Sequence, residues 1–513
     1  MMPITHRQLF CLLLPLACHA VRADWLSDIG HTKLAAELGA AMPTGAGIVL
    51  VQSEANNIES PPNYLPQAGG PDSFAGIGTF AGKTFHPESG AGTELGHGVA
   101  VATFFYGNGI GVARSATEIH NYTAVDFITR LTDGITPEVF PGRVQNHSWA
   151  GSLGDADEDL KAIRAFDFML DRDQRIAVTG LSGGSLAPLL GSTYHAIAAG
   201  TRSAAHSQTG TTTDGIGRMK PDLVVDVQYT SYASAIVAGS AAALLQEAIA
   251  SGNAAAERPQ LLKAVLIAGA SKQNLPQWQR DAAAEPYDDV FGAGELDLYH
   301  AWHLLKGGQQ PHSTSVERSL QGWDFATSTT DANGRRYFFT VPEGSIAETF
   351  SAALVWHRDI TNLLGFYFSS LPDLNLKLYA ASGFTTGALI SSSTSSVDNV
   401  EHLFLRHLPA GQYCLEVSAD TDAHDFALAW QAVPGIGPRV TSHISSGQLF
   451  IDAASLDPLT TYTLETSPDL SSAWTAVETF RTADGTASFT HTWTSPTAPA
   501  TRQFFRLRWT PVR

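Results

Sequence analysis

The texture of the chain changes near Gly307, and each side of that change admits one broad class of fold. From about residue 40 to 305, short β-like runs alternate with helical stretches. Ile48-Val49-Leu50-Val51 is a compact apolar run bounded by Gly47 and by Gln52-Ser53-Glu54. Asp157–Asp171 repeats Leu160, Ile163, Phe166 and Met169 at helical spacing. It also crowds acids into its first turn, where the helix dipole favours them. Ile176-Ala177-Val178 predicts another buried strand, and two Ala/Leu-rich stretches predict helices over 231–250 and 259–268. Such alternation predicts an α/β fold, a mostly parallel sheet with helices on both faces.

Beyond Gly307 the period shortens to two. Phe350–Trp356, Leu374–Leu378 and Tyr413–Val417 alternate apolar with polar residues, as half-buried strands do, and Ser391–Ser396 reads as a turn between them. This predicts an antiparallel β-sandwich. The joint Pro434-Gly435-Ile436-Gly437-Pro438 marks a further boundary. Past it, Tyr462–Thr466 and Phe504–Trp509 are again β-patterned, predicting a second antiparallel β-sandwich module. The predicted divisions are 1–23, an export signal; 24–306, the α/β domain; 307–433, the first sandwich; and 434–513, a small C-terminal β domain. A length of 513 residues agrees with about three domains at ~150 residues each.

The export signal rests on His6 and Arg7 before the apolar run Leu9–Ala17, with small residues at Ala20 and Ala23. Cleavage after Ala23 is expected, with a lipoprotein signal ending at Cys18 as the alternative. The predicted location is therefore secreted, extracellular or periplasmic. The apolar run is too short to span a bilayer, and no later stretch reads as a membrane anchor, so no transmembrane segment is expected. A net charge of −18 argues against a nucleic-acid partner, which needs a basic face, and against anionic lipid. Cys11 and Cys18 fall in the signal. The remaining Cys414, between Tyr413 and Leu415, reads as a buried small hydrophobe, which argues against a cysteine nucleophile.

Three segments carry candidate chemistry. Ser231, in Thr230-Ser231-Tyr232-Ala233-Ser234, opens the long helix, where free backbone N–H groups and the helix dipole would support an oxyanion beside it. The same position suits an ordinary N-cap serine. His97, in Gly96-His97-Gly98-Val99-Ala100, suits a helix start packed closely on a sheet. Glu54 ends the first strong strand, where open parallel sheets place catalytic groups, and also reads as a solvated loop carboxylate.

Together these segments resemble the subtilisin-like serine peptidases. His97–Thr103 is similar to their histidine motif and Tyr229–Gly239 to their serine motif. Lys220-Pro221-Asp222-Leu223 resembles the stretch before that serine, Phe291-Gly292-Ala293-Gly294 the turn after it, and Asn146-His147-Ser148-Trp149 a strand near the cleft. The resemblance covers about residues 40–305, in the order acid, histidine, serine. It implies a polypeptide substrate, Ser231 as nucleophile, His97 as general base and Glu54 as the carboxylate orienting the imidazole, where the family has Asp. It also implies an oxyanion-hole Asn at the position of Leu181, so Leu181 and the neighbouring Ser182 are the oxyanion candidates. Other departures are Tyr229, Ala235 and Ala100. The sedolisin variant, which also uses Glu, fits less well because Glu54 ends a strand rather than lying on a helix.

The expected activity is a serine endopeptidase acting as a monomer. The alternatives are a catalytically impaired pseudopeptidase acting as a secreted binding or surface protein, and adhesion through the β modules. No cofactor is expected beyond a structural calcium that such a family admits. Asp398, Glu401 and His402 are a metal-binding candidate whose competing reading is a solvated turn.

Overall fold

The computed structural model describes residues 24–56, 60–66, 80–183, 187–206, 214–215, 218–280, 282–331, 333–420, 423–446, 448–456, 460–482, 488–493 and 503–509. The segment read as an export signal lies outside the described residues.

The first half carries strands β1 (Leu50–Glu54), β2 (Asn63–Leu65), β3 (Thr84–Pro87), β4 (Thr93–Glu94), β5 (Glu118–Thr123), β6 (Val144–His147), β7 (Ile176–Gly180), β8 (Ile197–Thr201) and β9 (Leu223–Val225). Its helices are α1 (Asp24–Asp28), α2 (His31–Leu38), α3 (Gly96–Phe105), α4 (Ala124–Thr132), α5 (Ala156–Arg172), α6 (Thr230–Ser251), α7 (Pro259–Gly269) and α8 (Leu298–Lys306). Seven strands form one parallel sheet in the order β3-β5-β1-β6-β7-β8-β9.

Period two along the strands decides what each face meets. Leu50, Ile176 and Val178 join the cluster that contains α3, α6 and α7. Val51 and Ala177 join the cluster of α4 and α5 behind the sheet. Both faces are covered, which is why these strands read as continuous apolar runs. The sheet is parallel throughout, with helices on both faces.

Helix α6 is buried nearly all round, from Tyr232 to Leu245. It is long and apolar enough to cross a bilayer, which corrects the reading that no later stretch is. However, 78% of its apolar window is buried inside the protein, the signature of a core helix. Strand β1 begins at Leu50, two residues later than Ile48, and runs on to Glu54.

The second half is antiparallel. Its strands are β10 (Gln321–Thr327), β11 (Arg335–Trp356), β12 (Asp359–Leu363), β13 (Phe366–Ser370), β14 (Leu374–Ser382), β15 (Thr385–Ser393), β16 (Val400–Ala419) and β17 (Asp425–Gly435). Six of them form a sheet in the order β10-β17-β11-β16-β14-β15, while β12 and β13 make a separate hairpin. Ser391–Ser393, read as part of a turn, belongs to β15 and pairs with Leu376–Leu378.

Alternation is visible again on the long strands. Ala352, Leu354 and Trp356 face one cluster, whereas Ala353 and Val355 join α7 in the core of the α/β unit, together with Ala427 and Ala429 of β17. The core therefore runs across the change of texture at Gly307 without a break.

The last strands are β18 (Arg439–Ser445), β19 (Gln448–Ala454), β20 (Tyr462–Ser467), β21 (Thr475–Phe480), β22 (Ser488–Trp493) and β23 (Phe504–Trp509). They form two three-stranded antiparallel sheets closed over Ile451, Ala453, Tyr462, Leu464 and Phe480.

Candidate active site

Glu54 is the final residue of β1, and the strand's period puts it on the same face as Leu50 and Gln52, toward α3. Its side chain is fully buried, and both carboxylate oxygens are engaged. Oε1 accepts from Gln52 Nε2 at 2.8 Å, and Oε2 lies 2.7 Å from His97 Nδ1. The same Gln52 amide donates to Gly98 O at 2.9 Å, so one side chain ties the strand to the first turn of α3. Behind it, the Tyr106 hydroxyl donates to Gln52 Oε1. This chain from Tyr106 through Gln52 orients the Glu54 carboxylate.

His97 is the second residue of α3, and its side chain is 29% exposed. Burial pulls its pKa down, but the charge and hydrogen bond of Glu54 outweigh burial and raise it above the ordinary 6.5. The Nδ1 edge is turned to Glu54, which leaves Nε2 as the position for proton exchange with a substrate-side group.

Ser231 is not an N-cap. The cap of α6 is Tyr229, which makes no side-chain capping bond, and Ser231 is the second helical residue. This corrects the capping alternative. The start of α6 is fixed from several sides. Thr230 Oγ1 donates to Leu181 O at 2.5 Å, and the end of β7 comes close enough that a Cβ on Gly180 would sit 3.2 Å from Thr230 O. Ser148, just past β6, donates to Ser231 O at 3.1 Å, and Asn146 Nδ2 donates to Ser148 Oγ at 2.7 Å.

Asp222, ahead of the serine segment, is buried between Lys220 and Lys263 at 2.8 and 3.2 Å and accepts from Ala198 N, which anchors β9 to β8. The turn at Phe291–Gly294 closes on this segment. Gly292 has φ +60°, and a Cβ there would meet Pro221 O at 2.3 Å, so a glycine is required.

The structure thus joins Glu54 to His97 and gathers Ser148, Leu181 and the start of α6 at the ends of the neighbouring strands β6 and β7. Among the described residues, the Ser231 hydroxyl makes no hydrogen bond to His97. On the oxyanion side, Leu181 is 3% exposed and its N–H is given to Ala199 O at 3.1 Å. Neither its side chain nor its amide is a spare donor. Ser182 is also buried. The start of α6 is another source of N–H groups, as any helix start is, although Tyr232 N and Ala233 N are given to Tyr229 O at 3.1 Å.

Other singled-out residues lie elsewhere. His147 points away from the site into Phe127 and Phe166, and burial pulls its pKa to about 3. Cys414 is buried, and burial pushes its thiol up to about 12. Asp398, Glu401 and His402 are not a solvated turn. All three are buried, with Glu401 held by Ser393 and Ser395 and Asp398 by Met219 N at 2.9 Å. Burial raises Asp398 to about 6. Among the described residues no three His, Cys, Asp or Glu side chains converge to hold a metal. Gln52 and Tyr106 were not legible as site residues, because a polar residue inside an apolar strand and a Tyr ending an apolar helix look like packing.

No protein-family model matches the chain, and no curated protein matches it. Among solved structures it is similar to the prenylagaramide maturation protease PagA, at 18% identity and a TM-score of 0.37 over 54% of this chain and 99% of that one. It is also similar to the patellamide maturation protease PatA, at 19% identity and TM-score 0.32 over 51% and 98%. A third is the epidermin leader peptide processing serine protease EpiP from Staphylococcus aureus, at 13% identity and TM-score 0.35 over 55% and 81%.

Proposed function

We propose that this chain is a serine peptidase that hydrolyses peptide bonds by acyl transfer. The observation that carries the reading is the 2.7 Å contact between a fully buried carboxylate and a mostly buried imidazole. A buried Glu54 charge costs free energy unless paired, and its pairing raises the basicity of His97. In the proposed cycle Ser231 Oγ attacks the scissile carbonyl while His97 Nε2 takes its proton. The tetrahedral oxyanion collapses to an acyl-Ser231 ester as His97 returns the proton to the departing amine. Water, deprotonated by His97, then releases the acid and restores the serine. Glu54 holds the tautomer and balances the imidazolium.

With Leu181 where the family places Asn, the oxyanion depends on backbone N–H groups. Loss of one donor lowers kcat about 10²–10³-fold, so slow turnover is part of the proposal. Endopeptidase action and export after residue 23 complete it. The impaired, binding-only reading is favoured by that same Leu181.

The test is reaction of the purified protein with a fluorophosphonate probe, with Ser231→Ala as control. Labelling lost in the variant supports the proposal. A folded, monodisperse protein that does not label overturns it in favour of a binding function.

A further inference from the structure

Among the described residues no hydrogen bond joins the Ser231 hydroxyl to His97, so the backbone that carries the serine sets where it points. That backbone lies in the first turn of α6. Helix ends fray, and the Tyr229 cap makes no side-chain bond to this one.

The turn is held instead from its carbonyl side. Ser148 Oγ donates to Ser231 O at 3.1 Å, and Ser234 Oγ, one turn along the helix, donates to the same oxygen at 3.0 Å. The two hydroxyls lie 3.0 Å apart, and Asn146 Nδ2 donates to Ser148 Oγ at 2.7 Å. A serine hydroxyl has one proton. Two protons therefore serve three oxygen–oxygen contacts, and Ser148 reaches Ser231 O either directly or through Ser234. In every arrangement at least one hydroxyl proton rests on that carbonyl. Asn146 and Ser234 are fully buried and Ser148 nearly so, which keeps water from competing for these bonds.

The same segment reaches the other half of the site. Ser148 follows the last residue of β6, and β6 is the neighbour of β1, with Ser53 opposite His147. Trp149, also buried, donates from Nε1 to Ser53 Oγ at 3.1 Å, one residue before Glu54. Two consecutive side chains thus hold both ends of the site. Ser148 holds the residue of the nucleophile, and Trp149 holds the strand end of the acid.

We propose that Asn146, Ser148, Trp149 and Ser234 form a brace that sets the separation between the Glu54–His97 pair and the Ser231 hydroxyl. The inference rests on the peptidase reading above. These are positioning residues, which act through the main chain of Ser231 and through Ser53 rather than on the reacting atoms. A misplacement of about 1 Å costs about 10²-fold in rate, and that is the scale the brace controls.

The experiment is the rate of fluorophosphonate labelling across pH for the full chain, as wild type, Ser148→Ala, Ser234→Ala and the double variant, with melting temperatures read alongside. Each single variant leaves one hydroxyl for Ser231 O and is expected to slow labelling about two- to fivefold. The double variant leaves none. It is expected to slow labelling about 10²-fold, more than the product of the singles, at an unmoved pH midpoint because Glu54 and His97 are intact. A general loosening of the site would move the midpoint as well. A fall with a shifted midpoint, or one no larger than the product of the singles, therefore overturns the proposal. Trp149→Phe keeps an aromatic ring and removes the donation to Ser53, and it carries the test where the double variant does not fold. Labelling slowed several-fold at the same midpoint is expected, and an unchanged rate overturns the proposal. Wild-type protein that does not label removes the peptidase reading and the brace with it. A double variant that labels as fast as wild type removes the brace alone.

Discussion

The two sides of the candidate site are built to different standards. On the side of the base, Glu54 has both oxygens engaged, and Gln52 and Tyr106 stand behind it in a fully buried chain of hydrogen bonds. On the oxyanion side, Leu181 presents an apolar side chain and an amide already spent on Ala199. A buried ionised group must be partnered or the protein is destabilised, so the acid's surroundings are held by stability as well as by chemistry. An oxyanion donor stabilises only a transient charge, and the folded state tolerates its loss. If Leu181 faces the oxyanion as proposed, that asymmetry would let one half of the site be kept while the other is lost.

The contrast breaks most visibly at Glu54. Glu54→Gln keeps the shape but removes the charge and leaves His97 free to take the wrong tautomer, so the labelling rate of Ser231 is expected to fall about 10³–10⁴-fold. A loss under tenfold in stopped-flow or gel-based labelling would mean the acid is structural. The opposite side is sharpened by Leu181→Asn. A new donor near the oxyanion is expected to raise peptide turnover about 10–10²-fold, measured as kcat against unchanged KM. Unchanged kcat in a folded variant would place the oxyanion elsewhere.

Gln52→Leu tests whether the support is energetic. It leaves Glu54 Oε1, Gly98 O and the Tyr106 hydroxyl without their partner, and should cost about 2–3 kcal/mol in urea unfolding. The smallest effect is in pH. The base works when neutral, so labelling should rise with pH through a midpoint above 6.5. Glu54→Gln removes both raising causes and leaves burial, so the midpoint should move downward. Since the folded-state pKa of His97 is raised, its contribution to stability is fully present below about pH 6.5, the unfolded value, and is lost as pH rises through the folded one. Urea midpoints across that range check the sign.

What the sequence made legible follows from burial. Asp157–Asp171 and Phe504–Trp509 carry strong periods and appear as α5 and β23 within a residue or so. Glu54 could be noticed as an acid closing an apolar strand, but Gln52 could not, since nothing local says that a glutamine inside that strand is buried. The acids at 398 and 401 looked solvated because one of Asp398's partners is Met219 N, far away in sequence. The β12–β13 hairpin is hard to place from sequence for the converse reason. Its apolar Leu363, Phe366 and Phe368 suggest a core strand, yet they are largely exposed.

The shared core across Gly307 has a consequence for heredity. Ala353, Val355, Ala427 and Ala429 cover α7, and Arg358 reaches Asp167 at 2.9 Å and Asp214 at 2.5 Å across the same seam. A recombination breakpoint at residue 306 would strip an apolar helix face and take Arg358 away from the buried Asp167 and from Asp214. A shuffled piece is therefore expected to run at least to the end of β17; the two-sheet module beyond Gly435 touches it at His407, whose carbonyl accepts from Trp509 Nε1 at 2.8 Å.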